Sequence, residues 1–209
     1  MPDRVMPDNI KRTSDLTTNR GTKSHAHADA DADADAVLVA AKAIKLVIFD
    51  VDGVLTNGQL HFIDGKECKS FDSQDGLGIA LLLRAGIDVA IISGNVSTAV
   101  TARFAKFSMP HIYQGVIDKH EKYQLIKADL QLADSEVAFL GDDLIDLPVM
   151  RQVGLPAAVA NADAFVKQHS LWVSTRLGGQ GAVREFIELI LAAQDKLTAI
   201  QAGFLTPCK

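Results

Sequence analysis

The chain has only two cysteines, Cys68 and Cys208, among its 209 residues. Two cysteines, one of them close to the last residue, are a poor basis for a disulfide framework, so we expect two incidental thiols in a reducing compartment. Residues 1–23 are polar and lack the apolar centre of a secretory signal. These absences favour a cytoplasmic protein.

Long apolar runs and an excess of positive charge are also missing. No stretch of about 18 apolar residues occurs, so the sequence predicts no transmembrane helix and no membrane partner. The formal net charge is −5 and no long lysine or arginine run is present, so we expect no nucleic-acid partner. The composition is typical of a soluble globular chain.

Composition divides the chain into three segments. Residues 1–36 contain a run that alternates Asp with Ala, whose charges repel and whose alanines bury little surface, so we predict a disordered acidic extension. Metal chelation or partner binding is the alternative interpretation of this run. Residues 37–198 are predicted to form one domain, and residues 199–209 a flexible C-terminal tail.

Apolar runs alternate with helical segments through the predicted domain. Lys45–Phe49 shows no polar alternation, as expected for a parallel strand buried on both faces. Further strands are predicted at Asp88–Ile92, His111–Tyr113 and Val137–Leu140, and a helix is predicted over Gly76–Ala85. The alternation predicts an α/β fold, a Rossmann-like parallel sheet with helices on both faces.

Asp50 and Asp52 directly follow the first predicted strand. Ligands of open α/β sheets bind beyond the carboxyl ends of the strands, so Asp50 is placed to attack phosphorus as a carboxylate nucleophile. Asp52 can protonate the leaving alkoxide and then deprotonate the hydrolytic water. Gly53 permits a sharp turn. Taken alone, this short motif favours an ordinary acidic turn.

Asp64-Gly65 separates two partly alternating runs that come soon after this motif. Asp-Gly between such runs favours a β-hairpin, because type I′ turns need positive φ. We therefore expect one projecting hairpin and no cap domain. A capless enzyme must cover its site by another route, and self-association is the simplest one.

Polar residues also follow the next two predicted strands. The Ser93 hydroxyl and the backbone N–H groups around Gly94 would form a phosphate cradle. Lys119 begins a helix and would neutralise the phosphate oxygens and the nucleophile. Taken alone, Ser93-Gly94 favours a plain turn and Lys119 favours a solvated lysine.

Asp142, Asp143 and Asp146 follow the strand Val137–Leu140. Carboxylates this close together repel one another unless a cation is bound, and Mg²⁺ prefers oxygen ligands. The predicted Mg²⁺ ligands are an Asp50 oxygen, the Asp52 backbone carbonyl and an Asp142 oxygen. Asp143 and Asp146 are expected to lie outside these ligands or to orient Lys119.

The four motifs occur in a fixed order, each at a strand end, and together they predict a Mg²⁺-dependent aspartyl-phosphate site. They resemble the motifs of the haloacid dehalogenase superfamily. Residues around 45–195 also resemble its capless 3-deoxy-D-manno-octulosonate 8-phosphate (KDO 8-phosphate) phosphatases. The matching segments are Phe49–Thr56, Asp75–Ile79, Tyr113–Gly115, Gly141–Met150 and Gly178–Glu185.

This resemblance implies a Mg²⁺-dependent phosphatase that hydrolyses KDO 8-phosphate for lipopolysaccharide precursor synthesis. It also implies a homotetramer in which a neighbouring subunit helps to close the site. The substrate-binding residues that we expect are Thr56, Gly94, Asp75, Gly179 and Arg184. Asp75 is equally compatible with a helix cap, and Arg184 with a surface position.

Two residues depart from the pattern of that family. Asn95 and Gln180 stand where arginine is usual, and arginine is a bidentate donor suited to carboxylates and phosphates. The alternative is therefore the same chemistry on another sugar-acid phosphate, such as a nonulosonate 9-phosphate. A non-catalytic scaffold or binding protein is the alternative of another class, although competent residues at all four motifs argue against it.

Overall fold

The computed structural model describes residues 34–205. Its strands are β1 (Leu46–Phe49), β2 (His61–Ile63), β3 (Lys66–Cys68), β4 (Asp88–Ile92), β5 (His111–Tyr113), β6 (Val137–Gly141), β7 (Leu155–Ala158) and β8 (Trp172–Val173). Six of them form a parallel sheet in the order β5-β4-β1-β6-β7-β8. The other two, β2 and β3, pair with each other in antiparallel fashion.

Helices alternate with the strands of the large sheet. They are α1 (residues 34–43), α2 (Ser73–Arg84), α3 (Thr98–Phe104), α4 (Lys119–Asp129), α5 (Leu147–Met150), α6 (Ala164–Gln168), α7 (Ala182–Ala193) and α8 (Leu197–Gly203). The predicted α/β fold, a Rossmann-like parallel sheet flanked by helices, is confirmed. Each helix that the structure describes is too short or too polar to span a lipid bilayer.

The central strand β1 explains where the site lies. Its four residues are completely buried, because β4 and β6 flank it and helices cover the sheet. Phe49, the last residue of β1, is in register with Ile91 of β4 and Leu140 of β6. The segments that follow these three strands therefore leave the same edge of the sheet, which brings three of the four motifs together.

The hairpin forms where the sequence predicts it. Asp64 and Gly65 occupy its turn with φ values of 50° and 74°, a region in which glycine carries no steric cost. Leu60, Phe62 and Ile63 expose more than half of their surface on this hairpin. Within residues 34–205 no cap domain interrupts the sheet.

Helix α2 begins earlier than the sequence predicted. Asp72 accepts hydrogen bonds from the backbone N–H groups of Gln74 and Asp75, so it is the N-cap, and the first helical residue is Ser73 rather than Gly76. Asp75 therefore lies inside the helix. Because its side chain is not needed as the cap of α2, it is available for another contact.

Two predicted segment boundaries also shift. Helix α1 includes residues 34–36 of the predicted extension, and α8 includes residues 199–203 of the predicted flexible tail. The polar start, most of the Asp–Ala run and Cys208 lie outside the described residues.

Candidate active site

Asp50 leaves the carboxyl end of β1 and has only 5% of its surface exposed. Its Oδ1 accepts a hydrogen bond of 2.8 Å from Lys119 Nζ. The same ammonium donates to Asp146 Oδ1 at 2.7 Å. Side chains from the ends of β1 and β6 and from the first residue of α4 thus meet in one buried cluster.

The start of α4 is fixed by its own cap. Asp118 accepts from the backbone N–H groups of His120 and Glu121, which orients the first helical turn and with it Lys119. Burial lowers the pKa of Lys119, but Asp50 and Asp146 raise it more, so the pKa lies above its ordinary value. Lys119 is therefore a buried, permanently charged cation between two carboxylates.

The pKa of Asp50 is raised to about 6, first by burial and then by the charge of Asp146, although Lys119 opposes both. A raised pKa marks a carboxylate whose negative charge is costly in the isolated protein. This cost is typical of a group that works against an oppositely charged ligand.

The pKa of Asp142 is raised further than that of Asp50. Burial, followed by the charge of Asp50, raises the pKa of Asp142 to about 8. Its Oδ1 is buried and has no hydrogen-bond partner. Carboxylate oxygens of Asp50, Asp142 and Asp146 lie within 4.8 Å of one another. An unpartnered buried oxygen in an all-carboxylate cluster fits a hard divalent cation such as Mg²⁺.

Asp146 and Asp143 differ from each other although both follow β6. Asp146 is fully buried, and its Oδ2 accepts from the backbone N–H groups of Asp142 and Asp143 while Oδ1 accepts from Lys119. Asp143 is exposed and accepts from the N–H of Leu144. Asp146 therefore orients Lys119 and Asp142, whereas Asp143 starts the short helical turn after the strand.

The segment Val51–Leu55 forms a tight turn directly after Asp50. Gly53 adopts a φ of 91°, and a Cβ at this position would lie 1.9 Å from Asp142 Oδ2. Only glycine therefore allows the two motifs to approach. Thr56 Oγ1 accepts from the N–H groups of Gly53 and Gly58, so this side chain holds the turn closed. Its predicted contact with substrate stays a prediction.

Asp52 lies on this turn and has partners that the sequence did not indicate. Lys69, just after β3, pairs with Asp52 Oδ1, and Asn95 Nδ2 donates to Asp52 Oδ2 at 2.9 Å. Burial lowers the pKa of Lys69, but hydrogen bonds to Asp52 and Glu67 raise it more. A lone lysine after a hairpin strand carries no motif, so only the fold reveals this contact.

Ser93 directly follows β4 at the same edge of the sheet and is buried. Its Oγ accepts from the N–H of Asn95 at 3.2 Å, as in a turn that presents backbone donors. Gly94 is exposed, and the nearest atom to a Cβ there would be Val116 O at 3.8 Å. The turn is therefore uncrowded at Gly94.

The segment Gly178–Gly181 packs against the turn of the first motif. The N–H of Gly179 donates to Val54 O at 2.8 Å. A Cβ at Gly178 would lie 1.6 Å from Gly53 O. These glycines are therefore required for close backbone approach. Contact of Gly179 with substrate stays a prediction.

Asp75 and Arg184 meet each other rather than the Asp50 cluster. Asp75 is 1% exposed, and its Oδ1 accepts from the backbone N–H of Arg184 at 2.8 Å, so it joins α2 to the start of α7. Arg184 Nε donates to Glu188 Oε1 along the same helix. Within the described residues of this single chain no hydrogen bond or ion pair joins either side chain to Asp50, and their contacts with substrate stay predictions.

Comparison with known proteins gives a consistent result. Residues 89–187 match the haloacid dehalogenase-like hydrolase family. The 3-deoxy-D-manno-octulosonate 8-phosphate phosphatase of Yersinia pestis is 46% identical over 162 residues, which cover 77% of this chain and 87% of that protein.

Solved structures agree in fold as well as in sequence. The crystal structure of the Yersinia pestis phosphatase has a TM-score of 0.77 and 45% identity, covering 78% of this chain and 89% of that chain. The Moraxella catarrhalis phosphatase, in complex with magnesium ion, phosphate ion and KDO, has a TM-score of 0.78 and 40% identity, covering 80% and 97%. The chain therefore belongs to the 3-deoxy-D-manno-octulosonate 8-phosphate phosphatase family of haloacid dehalogenase-like hydrolases.

Proposed function

We propose that this chain is a Mg²⁺-dependent phosphomonoesterase that hydrolyses KDO 8-phosphate to KDO and inorganic phosphate, in the synthesis of a lipopolysaccharide precursor. The observation that carries the proposal is the buried cluster of Asp50, Asp142, Asp146 and Lys119 at the carboxyl ends of β1 and β6. Relatives at more than 40% identity over most of the chain support the same substrate.

Asp50 is the nucleophile of the first step. Its carboxylate attacks phosphorus, the bond from phosphorus to the sugar oxygen breaks, and Asp52 gives its proton to the departing alkoxide. The product of this step is an aspartyl phosphate and free sugar acid. Lys119 stabilises the anionic nucleophile and the phosphoryl oxygens, because its charge is fixed 2.8 Å from Asp50 Oδ1.

Asp52 reverses its role in the second step. It takes a proton from water as the water oxygen attacks the aspartyl phosphate, so phosphate leaves and Asp50 is regenerated. Ser93 and the backbone donors of its turn hold the phosphoryl oxygens. The residues that would hold Mg²⁺ are Asp50, Asp142 and, through its backbone carbonyl, Asp52. An ion bound there would screen the negative charge of the phosphoryl group.

We also propose that the chain assembles into a homotetramer and that it works in the cytoplasm. The hairpin supports this proposal, because it exposes Leu60, Phe62 and Ile63 and such apolar surface favours a protein interface. A neighbouring subunit would then supply the cover that a capless enzyme needs over its turn at Ser93-Gly94.

A nonulosonate 9-phosphate is the second candidate substrate. Asn95 favours this substrate, because KDO 8-phosphate phosphatases usually have arginine at this position. Here the uncharged Asn95 side chain contacts Asp52 and supplies no cationic donor. Gln180 is exposed at the other departure from the family pattern.

Phosphate release with Mg²⁺ from both compounds, beside a panel of ordinary sugar phosphates, tests the assignment. A higher kcat/KM for KDO 8-phosphate supports the proposal. A higher kcat/KM for the nonulosonate ester assigns that substrate instead, and equal turnover of the whole panel contradicts specificity for sugar acids. No turnover of any ester favours a non-catalytic scaffold.

A further inference from the structure

The two carboxylate oxygens of Asp52 have separate partners on separate elements. Lys69 Nζ, immediately after β3, contacts Oδ1. Asn95 Nδ2, on the loop after β4, donates to Oδ2 at 2.9 Å. Asp52 itself lies on the turn after β1, so three separate segments of the chain meet at one carboxyl group.

Lys69 is held tightly in this position. Its side chain is only 3% exposed, although the hairpin that precedes it is largely exposed. The ammonium also pairs with Glu67 Oε1, so it lies between two carboxylates. A buried ammonium requires such partners, and the pairing fixes its direction toward Asp52.

Asn95 differs from Lys69 in being exposed and uncharged. Its backbone N–H donates to Ser93 Oγ, which anchors the loop while the amide side chain reaches Asp52. Oδ1 of Asp52 is therefore held by a buried side chain, whereas Oδ2 is held by an exposed one.

We infer that Lys69 and Asn95 are positioning residues that fix the Asp52 carboxyl for its work as general acid and base, an inference that rests on the proposed phosphatase function. Oδ2 is the oxygen that exchanges protons. Its proton passes to the leaving alkoxide oxygen, and a proton of the attacking water returns to Oδ2 in the second step. Oδ1 keeps its contact with Lys69 throughout, so the carboxyl does not rotate away between the two steps.

This role predicts a dependence on the leaving group. KDO 8-phosphate releases an alkoxide that needs a proton, whereas p-nitrophenyl phosphate releases a phenolate that does not. Loss of positioning should therefore impair both steps for KDO 8-phosphate but only the second step for the aryl ester. An aspartyl phosphate would then accumulate with the aryl ester.

The experiment compares Lys69→Met, Lys69→Arg and Asn95→Ala with the native chain and with Lys42→Met, which removes an exposed lysine of α1. We expect Lys69→Met to lower kcat on KDO 8-phosphate about a hundredfold and to show a burst of p-nitrophenolate followed by slow turnover. Lys69→Arg should restore much of the rate. Asn95→Ala should change both readouts in the same direction by about tenfold, and Lys42→Met should change neither.

Two results would overturn the inference. One is an equal loss on both esters without a burst, which would make Lys69 a support of the fold alone. The other is an unchanged rate in Lys69→Met and Asn95→Ala. If Lys69→Met does not fold, as judged by its circular dichroism, the exposed Asn95 decides the question by the same two readouts.

The same data separate this inference from the proposed substrate. A native chain that hydrolyses p-nitrophenyl phosphate but not KDO 8-phosphate would refute the substrate, while the burst in Lys69→Met would still support the positioning role. A native chain that hydrolyses neither ester would overturn both.

Discussion

Lys119 Nζ donates to Asp50 Oδ1 across 2.8 Å, although 69 positions separate the two residues in the sequence. Their side chains are 2% and 6% exposed, so water contributes little to the solvation of either charge. A buried carboxylate of this kind depends on its cation. The pair therefore links the stability of the site to its reactivity.

Replacing Lys119 with Met should affect both properties. Asp50 and Asp146 would lose their shared cation, so we expect the free energy of unfolding without Mg²⁺ to fall by about 3 kcal/mol. Phosphatase turnover should fall by at least about a hundredfold, because the proposed nucleophile Asp50 and the phosphoryl group lose a fixed positive charge. Urea unfolding and kcat measure the two effects, with Lys42→Met as the matched control. Unchanged turnover would contradict the role of Lys119.

Asp142 should determine how Mg²⁺ affects stability. Mg²⁺ that binds only the folded chain raises the melting temperature. In Asp142→Asn this increase should be largely lost, while the metal-free protein becomes more stable, because a carboxylate beside Asp50 is removed. Asp163→Asn, which changes an exposed capping carboxylate on α6, should keep the full increase. An undiminished Mg²⁺ effect in Asp142→Asn would exclude this residue as a ligand.

The burial of Asp75 predicts that the stability of the fold depends on pH, separately from any effect of the Asp50, Asp142 and Asp146 carboxylates. Burial raises its pKa from 3.8 to about 6, and its Oδ2 is buried without a partner. A carboxyl with a raised pKa in the folded state stabilises the fold at low pH, and this contribution is lost as the pH rises through the folded-state pKa. The contribution of Asp75 should therefore decrease between about pH 4 and pH 7.

The Asp75→Asn variant measures this contribution. The Asn side chain can still accept from the Arg184 N–H, but it cannot ionise. The difference in stability between the native chain and Asp75→Asn should decline as the pH rises through this range. Asp88→Asn, which changes an exposed carboxylate of β4, is the control, and its difference from the native chain should not decline in this way. A parallel pH profile for native chain and Asp75→Asn would show that Asp75 is not desolvated.

The hairpin should control assembly. Phe62 is 65% exposed and Ile63 is 63% exposed in the single chain. Replacing both with Ser should dissociate the proposed tetramer, because its proposed interface would lose its apolar centre. Leu125→Ser, at an exposed position on α4, should leave the mass unchanged. Light scattering measures the assembly, and a tetramer that survives the double replacement would locate the interface elsewhere.

The sequence predicted the parts of this fold that depend on local signals. The uninterrupted apolar run of β1 indicated a buried parallel strand, and Asp64-Gly65 indicated the hairpin turn. The carboxyl ends of the neighbouring parallel strands β1 and β6 had to meet at one edge, so the approach of Asp50 to Asp142 followed from topology.

Contacts between distant segments could not be predicted in this way. Asp75 was compatible with a cap or a site residue, and the structure instead pairs it with the start of α7. Lys69 reaches Asp52 only because the hairpin folds back beside the first turn. No spacing in the sequence carries that information, since it depends on the direction in which the hairpin leaves the sheet.

The most direct test of the proposed mechanism is to trap the covalent intermediate. The native chain is mixed with Mg²⁺ and KDO 8-phosphate, quenched in acid within one turnover and digested for mass spectrometry. We predict a phosphoryl adduct on the peptide that contains Asp50, which disappears when the substrate is exhausted, and neither adduct nor turnover in Asp50→Asn. Full turnover without an adduct, together with an active Asp50→Asn variant, would contradict the aspartyl-phosphate mechanism.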